Sequence, residues 1–486
     1  MKYSRRTFLR RSGYALSAAA IASKFKGLGL ISALAQQNAP TDYKALVCIF
    51  LAGGNDCNNM IVPLDATGYG NYSTARNSSG LALTQASLMP TQITPPSIGT
   101  PFGLHPNLSP EIATPAAMPG LLPLWNSGKL AVVCNVGPLV YPITRATYQN
   151  NSVQKPYQLF SHSDQVTQWQ TSRADTQTQT GWGGLTADNT LPFNNGVNFP
   201  TITSIAGTSA FATGITTRPL VIADARTSLT NVLKLEGFGS AADELARKNA
   251  MSELRTLDRS NTLVAATSDT VQSAIDISGA FSVDPVLTTV FPGTTLGNQL
   301  KQVAKVMKLN QTSAQLSLNR QIFFCSLGGF DTHQNQLTLQ GNLFTQMSQA
   351  MKSFYDATVE LGIENRVTTF TLSDFGRTLQ PSGSGATVVG SDHGWGTHQF
   401  VMGGAVHGTE FYGVPLAAAS GGNGTVFPTL VENGPYDTDN RGRWIPTVAV
   451  DQYAATLASW FGLAPADMPT VFHNLSHFTS SNLGFV

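Results

Sequence analysis

The chain has 486 residues, 12% of them charged, with four cysteines and a formal net charge of +1. That length supports a large core and more than one ordinary domain's worth of chain, and the lack of Lys/Arg clusters beyond residues 1–35 argues against nucleic acid as a partner. Cys48, Cys134 and Cys325 sit in apolar runs and read as buried thiols, not as a disulfide framework; Cys57, beside Asp56, reads as a structural thiol or a soft ligand.

The first residues read as an export signal. Ser4-Arg5-Arg6-Thr7-Phe8-Leu9-Arg10 holds a twin-arginine pair, Tyr14 to Ala22 is a short apolar stretch, and Ala33-Leu34-Ala35 fits cleavage before Gln36. The apolar stretch is too short for about 30 Å of hydrocarbon, and Lys24 and Lys26 interrupt it. A signal over residues 1–35 implies a periplasmic or secreted protein. Seven of the 29 basic residues and none of the 28 acids lie there, so the mature chain carries 22 basic against 28 acidic residues, a net of −6. No later stretch reaches transmembrane length.

Lys44 to Leu51 is a continuous apolar run stopped by Gly53-Gly54, the form of a buried parallel strand. Lys129 to Val136, Gln321 to Leu327, Arg366 to Leu372 and Gln399 to Met402 have the same form. Helices are predicted over 298–309 and 342–361, the latter with Leu343, Met347, Met351, Phe354 and Leu361 on one face. Asp451 is placed to cap a last helix that stops at Gly462. Alternating strands and helices predict a doubly wound α/β fold with a mostly parallel sheet. The polar segments 66–103, 138–160 and 380–397 read as long loop insertions, and 205–300 as a helical or mixed cap on a single 36–486 domain.

Four Asp-bearing motifs follow these strands: Gly53-Gly54-Asn55-Asp56, Gly328-Gly329-Phe330-Asp331-Thr332-His333, Ser373-Asp374-Phe375-Gly376 and Ser391-Asp392-His393-Gly394. Chemistry in open parallel sheets gathers outside the carboxyl ends of the strands, and carboxylates with imidazoles there suit divalent metals. Asp331 and His333 are candidate ligands, against a helix cap with a solvated neighbour. Asp374 is a ligand or the partner of Arg377 in a turn, and Arg377 alternatively neutralises an anionic ester. Asp392, His393 and His398 form the densest group, and Asp56 is a ligand or an Asx turn. Ser161 and Ser163 offer hydroxyls at a predicted helix start before Gln165 to Thr171, where an ordinary N-cap is the plainer reading. No G-x-S-x-G elbow, P-loop, dinucleotide fingerprint or H-E-x-x-H helix is present, which argues against the usual serine esterases, nucleotide hydrolases, dehydrogenases and common metalloproteases. His105, His407, His473 and His477 read as structural or surface residues.

These motifs, with Gly103-Leu104-His105-Pro106, Asp392-His393-Gly394-Trp395-Gly396 and Arg443-Trp444-Ile445-Pro446 through Trp460-Phe461-Gly462, resemble the domain of unknown function 1501 (DUF1501) family, which looks like a branch of the alkaline-phosphatase/sulfatase superfamily. The resemblance implies one or two divalent ions, zinc foremost, with manganese, calcium or magnesium as alternatives. It implies Asp56 and Asp374 on one ion, Asp331 and His333 on the other, and His393 and His398 completing the set. Phe375 departs from the superfamily pattern, which has His there. An active site of this kind implies hydrolysis of phosphate or sulfate esters, small or polymeric, by Ser161, Ser163 or a water. The alternative is a non-catalytic exported binding or scaffold protein.

Overall fold

A computed structural model describes residues 42–486, apart from residues 195, 198, 235, 236, 314, 386 and 387. The export signal expected over residues 1–35 lies outside the described residues. Among the described residues fourteen strands follow in chain order: β1 (Lys44–Ala52), β2 (Ile61–Pro63), β3 (Gln92–Ile93), β4 (Phe102–Leu104), β5 (Leu130–Gly137), β6 (Ile202–Ser204), β7 (Leu220–Val221), β8 (Arg320–Gly328), β9 (Val367–Ser373), β10 (Arg377–Ser382), β11 (Gly390–His393), β12 (Thr397–Gly403), β13 (Phe411–Tyr412) and β14 (Val448–Ala449). The central sheet has nine strands in the order β13-β5-β12-β9-β1-β8-β6-β7, with β14 also on β5. β1 pairs in parallel with β8 and β9, in a register that sets Ala52 against Gly328 and Leu51 against Ser373. Three strand ends therefore open at one place.

Every interior residue of β1 is buried. Ala45, Val47, Ile49 and Leu51 enter one core and Leu46, Cys48 and Phe50 the other, so period-2 alternation here divides two buried faces. The helices Thr295–Thr312 and Gln336–Glu360 cover the first face, and Trp182–Thr190 and Val450–Phe461 the second. Each fully buried aliphatic or aromatic side chain contributes about 1.5–3 kcal/mol, which makes the two faces the main source of stability. All four cysteines are buried and unpaired. No helix among the described residues is long and apolar enough to cross a membrane.

Three sequence expectations are corrected. β12 runs antiparallel to both β9 and β5. After β9 the chain makes the β10–β11 hairpin at the carboxyl edge and re-enters the sheet without a crossover, which only an antiparallel strand permits. The 66–103 segment is not a bare loop: it holds the helix Ala66–Arg76, capped by the Asp65 side chain on Thr67 and Gly68 and anchored by buried Tyr72 and Arg76. Asp451 is not the cap of its helix but lies in the first turn, after Ala449, and is buried. Within 205–300, β7 joins the main sheet, while the helices Ala242–Leu254 and Thr262–Ala280 stand largely exposed.

Candidate functional site

The convergent strand ends are held close by glycine. Gly53 has φ +116°, and a Cβ there would lie 2.4 Å from the Asp331 backbone nitrogen. The end of β1 thus packs directly against the turn that carries Asp331.

Around this point the structure assembles His162, Asp331 and His393, whose ligand atoms all lie within 4.8 Å of one another. His162 Nε2 is 3.1 Å from His393 Nε2, and each is 3.5 Å from Asp331 Oδ1. Metal–ligand bonds of about 2.0–2.1 Å in a tetrahedron imply ligand separations of about 3.3 Å, so this triangle has the dimensions of one face of a zinc site. His333 adjoins it, with Nε2 3.0 Å from Asp331 Oδ1 and 3.1 Å from His393 Nε2.

The outer hydrogen bonds fix the tautomers. His393 Nδ1 lies 2.8 Å from the Phe160 carbonyl, which can only accept, so Nδ1 carries the proton and Nε2 a bare lone pair. His162 Nδ1 lies 2.7 Å from Asp374 Oδ2, the carboxylate–histidine arrangement that orients metal ligands. Two lone pairs then face each other at 3.1 Å, which needs a proton or a cation between them. The proton affinities are split. The Asp374 hydrogen bond raises the His162 pKa above the usual 6.5 despite burial, whereas burial lowers that of His393. Burial acts to raise the Asp331 pKa, but Arg377 outweighs it and holds the carboxyl below its ordinary value.

Charge around the cluster is nearly balanced. Arg377, buried, donates to Asp331 Oδ1 (2.8 Å), to the Gly53 carbonyl (3.2 Å) and to the Ser391 carbonyl. Arg441 pairs with Asp392, and Arg443 lies 3.5 Å from Asp439. With neutral imidazoles, the carboxylates of Asp331, Asp374, Asp392 and Asp439 outnumber these guanidiniums by one. A divalent cation would turn that −1 into +1.

The other expected ligands lie elsewhere. Asp56 is spent in a buried bidentate pair with Arg76 (2.6 and 3.0 Å), with further bonds from Asn58 to Oδ1 and from Gln336 to Oδ2. His398 is buried, and its Nδ1 accepts from the Asn135 backbone N–H at 3.0 Å; burial pushes its pKa down to about 3. Asp392 reaches the cluster through His333, its Oδ1 3.3 Å from Nδ1. The Ser161 and Ser163 hydroxyls turn to Asp164 Oδ2, at 2.7 and 3.3 Å. Between them His162, which the sequence reading passed over, begins the helix His162–Thr171 and enters the cluster. Its signal was an imidazole at a helix start flanked by two hydroxyl residues. Cys57 remains a buried thiol, its pKa pushed up to about 12 by burial.

The family model described as "Protein of unknown function (DUF1501)" matches residues 43–420. The chain belongs to the DUF1501 family. The DUF1501 span carries His162, Asp331, His333, Asp374, Asp392 and His393, and ends before the Asn433–Arg443 segment that supplies Arg441 and Arg443. No curated protein matches this DUF1501 chain. Among solved structures, "Crystal structure of Ps i-CgsB in complex with k-i-k-neocarrahexaose" is similar at 7% identity and TM-score 0.32, covering 88% of this chain and 74% of that one, a likeness too distant to carry an argument.

Proposed function

We propose that this DUF1501 protein is an exported metal-dependent hydrolase of phosphate or sulfate esters with an alkaline-phosphatase-like site. One observation carries the reading: the Nε2 atoms of His162 and His393 and the Asp331 carboxylate face one point at 3.1–3.5 Å. His162, His393 and Asp331 would hold the ion, with zinc favoured by two imidazoles and one carboxylate. A bound divalent ion supplies Lewis-acid polarisation of an ester oxygen and eases deprotonation of water.

The remaining groups have defined tasks. Asp374 keeps the His162 proton on Nδ1 and leaves Nε2 bare. Arg377 holds Asp331 in place and adds positive charge beneath it. His333, with Nδ1 turned to Asp392 and Nε2 toward the cluster, is placed to hold or pass a proton at Nε2. The +1 balance of the metal-loaded site favours an anionic ester over a neutral one. The Ser161 and Ser163 hydroxyls donate to Asp164 Oδ2, a carboxylate placed to act as their base, so either serine or a water is a candidate nucleophile.

Elemental analysis of protein purified without added metal tests the reading. One or two transition ions per chain, with aryl phosphate or aryl sulfate hydrolysis that disappears on chelation, is the expected result. A folded protein that carries no metal and refuses zinc and manganese would return the assignment to a non-catalytic scaffold.

A further inference from the structure

The Asn433–Arg443 segment lies beyond the family-matched span, yet it touches His393 of the cluster and Asp392, the partner of His333. One carboxylate gathers it from within. Asp437, fully buried, accepts the backbone N–H groups of Asn433 (3.0 Å), Asp439 (3.3 Å), Gly442 (2.9 Å) and Arg443 (3.1 Å). With those donors turned to Asp437, oxygens of the segment converge at another point: the carbonyls of Gly434, Asp437 and Asp439 and Oδ1 of Asn433. Four gathered oxygens call for a cation.

Arg145 fills that position from the helix Arg145–Gln149. Its Nη1 donates to the Gly434 and Asp437 carbonyls, both at 3.0 Å, and its Nη2 to Asn433 Oδ1 (2.5 Å) and the Asp439 carbonyl (2.6 Å). A planar fork reaches four oxygens at once; a lysine ammonium has three donors on one atom and cannot span them.

The loop so folded docks on β10 through Leu379 N–H to the Gly442 carbonyl and Gln380 N–H to the Arg441 carbonyl, both at 3.1 Å. Gly442 is required there, with φ +66° and its missing Cβ position 2.3 Å from Leu379 Cβ. Docking places two arginines behind the cluster. Arg443 Nε donates to the His393 carbonyl at 3.0 Å, and its guanidinium lies 4.5 Å over the ring of Phe160, whose carbonyl fixes His393 Nδ1. Arg441 pairs with Asp392, which faces His333 Nδ1.

We propose that Arg145 is the built-in cation of this loop and a positioning residue for the cluster, acting on His393 through Arg443 and on His333 through Arg441. The zinc readout below rests on the metal reading of the cluster; the exchange readout does not.

Hydrogen exchange of the amides in 433–443, measured on the full chain, tests it. In R145A their protection falls at least about tenfold, because the converged carbonyls repel without their cation. Guanidinium chloride well below denaturing concentration restores it, and sodium chloride at equal ionic strength does not. R145K, with the charge but not the fork, loses part of the protection, and it carries the test if R145A fails to fold. Wild-type exchange in R145A or R145K, or equal rescue by sodium chloride, overturns the proposal. Zinc affinity of R145A is expected to fall about tenfold, as for outer-shell substitutions at metal sites. If the wild type binds no zinc while R145A still loses protection, the metal reading fails and the loop assignment stands. Wild-type zinc binding with unchanged R145A exchange defeats the loop assignment alone.

Discussion

Asp56 and Asp331 follow the ends of neighbouring parallel strands, each after a Gly-Gly pair, and their surroundings could hardly differ more. Asp56 is 1% exposed and faces the equally buried Arg76, whose five N–H donors are all used: on Asp56, on Asn59 Oδ1, and on the carbonyls of Thr378 and Leu379. The Asp331 side chain is 47% exposed and faces three imidazoles. One carboxylate has a permanent cation, supplied by its own chain. The other shares Arg377 with two backbone carbonyls and still faces three imidazole nitrogens. A strand-end Asp therefore becomes a metal-ligand candidate only where its neighbours leave a cation still to be supplied.

The sharpest break of this comparison is at the closed pair. Asp56→Ala or Arg76→Ala leaves an uncompensated buried charge and is expected to cost about 3–5 kcal/mol in urea denaturation. A loss under about 1 kcal/mol at either position would show that the pair behaves like a surface ion pair despite its burial. Asp331→Ala is expected to do the reverse: zinc binding is lost in equilibrium dialysis, while stability falls by less than at the closed pair, because Asp331 is half exposed and the buried Arg377 keeps the Gly53 and Ser391 carbonyls as partners. Full metal content in that variant would remove Asp331 from the ligand set.

Asp451 extends the comparison to a buried carboxylate that makes no ion pair within 4 Å among the described residues. Its Oδ1 accepts from the Asn474 N–H, and burial pushes its pKa up to about 7. A raised folded-state pKa means that its stabilising contribution is fully present below the ordinary value of 3.8 and is lost as pH rises through about 7. Asp451→Asn keeps the neutral form and the acceptor, so it should match the wild type at pH 4 and exceed it by about 2–4 kcal/mol above pH 8. A pH-independent difference would mean that Asp451 does not titrate in this range.

Two smaller effects refine the open site. Asp374→Asn leaves His162 without its orienting carboxylate and should weaken zinc binding about 10–100-fold with the fold intact. Zinc affinity should also depend on pH. The raised pKa of His162 keeps a competing proton on the metal-free cluster to a higher pH than an ordinary imidazole. Affinity should therefore climb as pH rises through and above 6.5 and be lost on acidification. Affinity flat across that range would exclude His162 as a ligand.

Much of this architecture was legible in local pattern. The five long strands and the helices ending near residues 309, 361 and 461 follow from apolar runs, helical spacing and glycine stops, which short-range physics sets. The cluster was partly legible: Asp331, His333, Asp374, Asp392 and His393 all follow strands or lie in a hairpin at one sheet edge. His162 was missed because its signal was a single residue at a helix start. Arg76, Arg441 and Arg443 were missed because nothing local marks them; Arg76 looked like part of a polar loop. His398 was misplaced by one feature of the sheet. It lies on β12, which runs away from the carboxyl edge, and its ring turns to Asn135 on β5.

By itself, the sequence determined which segments become strands and helices and which acids arrive at the carboxyl edge, because hydrophobic period and glycine stops act over a few residues. Only the tertiary structure decided which of those acids meets a guanidinium and which meets imidazoles. Asp56 and Arg76 are 20 residues apart, and Asp331 and His162 are separated by 169. Charge compensation is settled by what packs within a few ångströms in space, and no local pattern carries that information.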